Sequence, residues 1–191
     1  PVRLRLLIPA VENLIAGNAY KPGDIIQTRH GLTVEVGNTD AEGRLILADA
    51  LCEADSESPE LLIDFATLTG AARGAVGTEI SAFFTDQEQL AHDIIQHSVQ
   101  QQDPVWRLPL YKPYQKLLDS KFADLNNCGS SPFGGAITAA LFLRSFIGAE
   151  TTLLHFDFNA YNVNARPGRP EGGEAMAILA VFSYLFDRYP I

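Results

Sequence analysis

Hydrophobic and polar positions change period along this chain, and the changes mark its elements. Val2, Leu4 and Leu6 alternate with Arg3 and Arg5, the two-residue period of a half-buried strand. Residues 12–24 are rich in Gly, Asn and Pro and predict a loop. "IIQTRHGLTVEV" alternates on both sides of His30-Gly31 and predicts a hairpin. From Asp40 the spacing becomes helical, through Leu45, Ala48, Asp49 and Cys52; it predicts a helix of about 10 residues that Asp40 can cap. "ELLIDFA", residues 60–66, is a short apolar run of the kind found in strands buried on both faces. It leads into "TLTGAARGAVG", read as a loop of small residues. "EISAFFT" predicts another strand.

Residues 86–101 predict a polar amphipathic helix with Leu90, Ile94 and Ile95 on one face. "DPVWRLPLYKPY" reads as an irregular segment and "FADLNNCGSSPFGG" as a turn-rich loop. Residues 136–147 are apolar almost all round, as a buried helix is. "TTLLHFDFNAY" predicts a strand, 162–174 a loop, and 174–189 a second apolar helix. Strands and helices alternate without repeats, so the class is α/β, with no internal domain boundary.

Composition narrows the function. The formal net charge of −9 argues against a nucleic-acid surface, which needs clustered Lys and Arg. The run "AMAILAVFSYLF" is 12 residues long, well short of a membrane span, and no membrane association is expected. Cys52 and Cys128 form no C-x-x-C pair, which fits a reduced, cytoplasmic protein. The chain opens on "PVRLRLLIP", without Met and inside a strand pattern, and reads as a segment of a longer polypeptide.

The chemistry concentrates at Asp40, Glu42 and Arg44, between a predicted strand and a predicted helix. Two close carboxylates repel each other unless a proton or a cation lies between them. A divalent metal is the usual solution. Arg44 offers a planar fork of donors for a carboxylate, a carbonate or an oxyanion. The constellation reads as metal plus anion. A plainer reading fits the same residues: Asp40 caps the helix, Glu42 favours its dipole and Arg44 is solvated.

"NTDAEGRLILADAL", residues 38–51, resembles the signature of the M17 leucyl aminopeptidases, the cytosol aminopeptidase family. "PAVENLIAGNAYKPGDII", "LIDFATLTGAA", "VWRLPL", "ADLNN", "GGAITAALFL" and "HFDFNAY" follow in the family's order and spacing. The resemblance implies a three-layer α/β/α sandwich with a mixed twisted sheet, the C-terminal portion of a catalytic domain spanning 1–191. It implies an aminopeptidase with two divalent ions, zinc, manganese or magnesium, acting on peptide substrates and assembling as a homo-hexamer. Glu42 would bridge the ions and Asp40 would bind one. Arg44 would hold a bicarbonate that acts as general base. Asn38 would lie near substrate. Thr67, Leu68 and Gly70 would contact the bound peptide.

The family's remaining ligands, a lysine and two aspartates, and a second, catalytic lysine come from a segment before residue 1, and nothing here replaces them. Asp64 is read as a structural carboxylate, and His155 with Asp157 as a structural pair. His30, His92 and His97 read as turn and surface residues. The loop "ARPGRPEGGEAM" departs from the family's usual Gly-rich tail, and its Arg166 and Arg169 read as solvated or as contacts for an acidic partner. A non-catalytic, possibly DNA-binding member of the family is the alternative function.

Overall fold

The computed structural model describes residues 2–190. In chain order its elements are β1 (Ile25–Gln27), β2 (Thr33–Glu35), α1 (Glu42–Asp55), β3 (Leu62–Ala66), α2 (Gly70–Val76), β4 (Ser81–Phe84), α3 (Glu88–Gln100) and β5 (Val105–Arg107). A 3-10 helix (Lys112–Leu118), β6 (Leu125–Asn126), α4 (Gly135–Arg144), β7 (Leu153–Asp157), β8 (Tyr161–Asn162), β9 (Gly172–Gly173) and α5 (Ile178–Arg188) complete it. The class is α/β with mixed sheets, as the alternation of periods predicts. Contacts gather into two units, one of residues 2–5, 63–109 and 152–190, the other of 6–62 and 110–151.

The first unit is built on a four-stranded sheet in the order β3-β7-β4-β5. β4 runs parallel to β5 and antiparallel to β7, with Ala82 opposite Asp157 and Phe84 opposite His155. β4 and β7 are buried at every position, which explains their largely apolar strings; the polar Ser81, His155 and Asp157 are buried with them. Phe156 stacks on Phe65 and tilts against Phe83, joining neighbouring strands through their rings.

Helix α3 packs on α5 in the same unit, burying Leu90, Ala91 and Ile94 with Ala180, Val181 and Tyr184. Ile95 lies off that face and is 40% exposed, although its spacing predicts the buried side. One residue past Ile94 turns about 100° around the helix, enough to leave a narrow packing seam. His97, expected at the surface, is buried; its Nδ1 lies 2.9 Å from Ser183 Oγ on α5. The other side of α5 carries Ile178, Leu179, Phe182 and Phe186, all exposed, at 48–65%.

The second unit starts from the predicted hairpin. β1 and β2 pair antiparallel, Ile25 with Glu35 and Gln27 with Thr33, and Gly31 takes the turn at φ 98°. β6 then adds to β2 in parallel, Val34 beside Leu125. Helix α4 packs on the 3-10 helix and on α1, burying Ala139 to Leu143. Its all-round apolar sequence has this physical cause: neighbours surround it.

Several segments differ from the periodicity. Residues 2–6 form no strand; Leu4 and Leu6 are largely exposed, and no described strand pairs with them. Alternation yields a strand only where a ladder and a core receive it. "TLTGAARGAVG" contains helix α2: Thr69 Oγ1 accepts from Ala72 N, alanines propagate the turn, and Gly77 at φ 81° ends it. "DPVWRLPLYKPY" holds β5 and part of the 3-10 helix, and "FADLNNCGSSPFGG" holds β6. Helix α1 has 14 residues rather than about 10, and its N-cap is Ala41 with no side-chain cap.

Asp103, in the segment read as irregular, is buried and receives backbone N–H bonds from Ala177, Leu179 and Ala180, at 2.9, 2.9 and 3.2 Å. It caps α5 from across the chain, where Ala177 enters the helix at φ 62° and cannot cap with its own methyl side chain. Asp103→Ala should lower the unfolding free energy by about 1–3 kcal/mol, because three amides lose their acceptor. Urea denaturation followed by circular dichroism measures it.

Candidate active site

The loop between β2 and α1 carries the candidate carboxylates. Its backbone is held from below by Asn127, which is fully buried beside β6. Asn127 Oδ1 accepts from Gly37 N at 2.8 Å and Asn38 N at 3.1 Å. Its Nδ2 donates to Asn38 O at 2.8 Å and Ala41 O at 3.3 Å. A Cβ at Gly37 would lie 2.3 Å from Asn126 Oδ1, so a larger residue here would force the Asn126 side chain to move. Asn38 turns its own side chain back on the loop, and its Oδ1 accepts from Asp40 N at 2.9 Å.

This arrangement leaves Asp40 exposed, outside the helix and not capping it. The plainer reading of Asp40 as an N-cap is therefore overturned. Ala41 occupies that position because the Asn38 turn has already brought the chain into the helix. Glu42 opens α1 and accepts from Asn13 Nδ2 at 2.9 Å. Asn13 also donates to Thr39 O, as does Tyr20 through its hydroxyl at 2.7 Å. Burial first, then the charges of Glu42 and Asp40, push the Tyr20 phenol above its ordinary value. Both carboxylates thus act on one hydroxyl, and they make a single patch of negative potential at the start of α1.

Arg44 is not a solvated residue. It is 9% exposed and stands in an inward row with Ala48 and Leu51, at helical intervals of four and three. A leucine there would serve packing alone; an arginine buries a guanidinium that can hold an anion. The donor chemistry of Asp40 and Glu42 suits a hard divalent cation. Among the described residues, no group of three or more His, Cys, Asp or Glu is placed to hold one. These residues fit part of a metal site and do not complete it.

Thr67, Leu68 and Gly70 belong to the first unit, in the turn from β3 into α2. Asp157, fully buried on β7, shapes this turn. Its Oδ1 accepts from Leu68 N and Thr69 N, both at 3.0 Å, and its Oδ2 from Thr69 Oγ1 at 2.6 Å. Thr67 and Gly70 stay exposed while Thr69 is held inside. The expected pairing of Asp157 with His155 is corrected: His155 Nδ1 bonds Asp64 Oδ1 at 2.6 Å, across from β7 to β3. Alternation along one strand puts His155 and Asp157 on one face but cannot say which neighbour each side chain meets. Asp64 is the structural carboxylate expected, being buried and bonded. Arg166 bonds Glu79 at 2.6 Å and Arg169 pairs with Glu174, so neither is simply solvated.

Spacing does not single out Asn127, and it singles out Asp157 only as a partner of His155. Both lie in strings already notable, "ADLNN" and "HFDFNAY", but their partners are some 90 residues away.

A profile described as the cytosol aminopeptidase family, catalytic domain, matches residues 1–181. The chain belongs to the cytosol aminopeptidase family. A probable cytosol aminopeptidase of Xylella fastidiosa is 48% identical over 176 residues, 90% of this chain and 36% of that protein. Peptidase B of Serratia proteamaculans is 42% identical over 189 residues, 97% of this chain and 44% of its own length. The crystal structure of the cytosol aminopeptidase from Coxiella burnetii superposes with a TM-score of 0.90 at 53% identity, covering 94% of this chain and 39% of that one. The bottromycin maturation enzyme BotP, solved in complex with Mn, gives 0.84 at 36% identity, covering 90% and 39%. The chain thus spans less than half the length of the relatives it matches.

Burial pushes the Asp157 carboxyl above the ordinary 3.8, against the pull of the Thr69 and Leu68 hydrogen bonds and of His155. The native state then holds a proton that the unfolded state has already released. The stabilising contribution of this carboxyl is complete below 3.8 and is lost as the pH rises through the native value. The stability of wild type relative to Asp157→Asn should therefore be greatest at the acid end and decline toward neutrality. Urea unfolding of both proteins between pH 4 and 7 reads this directly.

Proposed function

We propose that these 191 residues form the C-terminal portion of the catalytic domain of a two-metal aminopeptidase that removes N-terminal amino acids from peptides. The observation carrying the reading is the loop of Asp40 and Glu42, clamped in place and followed within the first turn of α1 by a buried Arg44. Family membership supports the peptidase class. Residues outside this chain complete the ligand set.

Within that reading each residue has a physical task. Glu42 and Asp40 would supply the carboxylate oxygens that hold the cations, zinc, manganese or magnesium. Bound divalent ions supply an activated water and polarise the scissile carbonyl. Arg44 would hold a bicarbonate by its guanidinium fork, an anion that would supply general-base chemistry there. Asn38 lies near the substrate. The backbone of Thr67, Leu68 and Gly70 contacts the peptide, in a turn that Asp157 keeps rigid. The protein works in the cytoplasm as a homo-hexamer; relatives are named cytosol aminopeptidases, and no described helix is long and apolar enough to cross a membrane. The exposed apolar stripe of α5 suits burial in such an assembly. The joint presence of Asp40, Glu42 and Arg44, with the net charge of −9, weighs against a DNA-binding, non-catalytic member.

In the complete polypeptide, Glu42→Gln should lower kcat by roughly 1,000-fold or more, and Arg44→Ala by roughly 100-fold, the range for single positioned groups. The difference arises because water can partly replace the bicarbonate, whereas nothing replaces a bridging charge. Steady-state hydrolysis of leucine p-nitroanilide decides it; equal losses would give Arg44 a purely structural role.

The 191 residues alone should show little turnover, even with added zinc or manganese. Two carboxylates on one loop leave a divalent ion mostly hydrated and cannot fix a second beside it at about 3.5–4 Å. Calorimetric titration showing two tightly bound ions would instead place further ligands within this chain.

A further inference from the structure

We infer that Asn127 is the positioning residue of the carboxylate loop: its buried amide holds residues 37–41 in the one shape from which Asp40 and Glu42 bind a divalent cation together. The inference rests on the metal-site reading above and adds a residue to which the family signature assigns no task.

The geometry is that of a saturated clamp. A primary amide has two donor hydrogens and an acceptor oxygen with two lone pairs. Asn127 uses all four on one loop: two N–H groups enter its oxygen and two carbonyls take its hydrogens. Its own backbone N–H is anchored separately, to Glu35 O at 2.9 Å, so the side chain rises from the ladder of β2 and β6. Both ends of the loop are gripped, Gly37 at the strand and Ala41 at the helix. Asp40 and Glu42 stand at and just past the far end of that grip.

No neighbour can take over. Asn126 has its Oδ1 committed to Cys128 N at 2.9 Å and packs against Gly37 from the side. Asn13 and Tyr20 hold a different point of the loop, Thr39 O, and Asn13 also donates to Glu42 Oε2 at 2.9 Å. Without the amide, four part-buried backbone groups lose their partner at once. The loop would then relax toward water, and the carboxylates would move with it.

Two substitutions separate shape from chemistry. Asn127→Asp keeps the size and the two accepted bonds but presents lone pairs to Asn38 O and Ala41 O. Asn127→Ala removes everything. A control, Asn162→Ala, deletes another buried asparagine that donates to two carbonyls, Arg169 O and Pro170 O, in the unit that lacks the carboxylates.

The complete polypeptide, freed of metal, is titrated with Mn2+ by calorimetry and assayed on leucine p-nitroanilide. Wild type should bind Mn2+ and turn over. Both Asn127 variants should bind Mn2+ about 10–100-fold more weakly, as outer-shell losses do, and lose kcat at saturating Mn2+ with KM nearly unchanged. Asn162→Ala should lower the melting temperature while its Mn2+ affinity stays at the wild-type value. If Asn127→Ala does not fold, Asn127→Asp, of equal volume, decides. A folded Asn127 variant with wild-type Mn2+ affinity overturns the inference and leaves the metal-site reading standing. Equal weakening by Asn162→Ala also overturns it, since general loosening then explains the effect. Wild type that binds no Mn2+ removes the metal-site reading itself, and the inference with it.

Discussion

A hydrogen-bonding group taken out of water costs free energy unless every polar atom it carries finds a partner in place. That constraint runs through both units. Asn127 closes the turn into α1, Asp157 closes the turn into α2, and Asp103 closes the start of α5. In each case one interior side chain reads the backbone of a helix entrance that its own sequence leaves uncapped or under-capped. Ala41 and Ala177 have no side chain able to cap. Thr69 can, and Asp157 holds its hydroxyl in position.

Local pattern made much of this legible. The hairpin around His30-Gly31 follows from alternation and one glycine with positive φ. The buried character of β4, β7 and α4 follows from their largely apolar strings. Other features were hidden because their cause is not local. Helix α2 looks like a loop until Thr69 and Gly77 are seen to bound it. Residues 2–6 have a strand's alternation but no described ladder to join. The tasks of Asn127, Asp157 and Asp103 depend on backbone 74 to 90 residues distant, and no window of spacing reaches that far.

The candidate site divides in the same way. Asp40, Glu42 and Arg44 were visible as a motif, but the motif alone admitted a helix cap with a solvated arginine. Two structural facts separate these readings: Asp40 leaves the cap to Ala41, and Arg44 occupies an inward row of α1.

The clamp on the carboxylate loop has a consequence for the order of synthesis. Gly37 and its amide partner are separated by 90 residues. At about 5–20 residues per second, the ribosome makes the loop roughly 5–18 seconds before it makes Asn127. Strand β6, which sets the third position of the sheet, arrives at the same late moment. During that interval Asp40 and Glu42 sit on an unformed turn beside each other, with no fixed spacing to offer an ion. The turn that presents the two carboxylates therefore cannot take its final shape until residue 127 has been made.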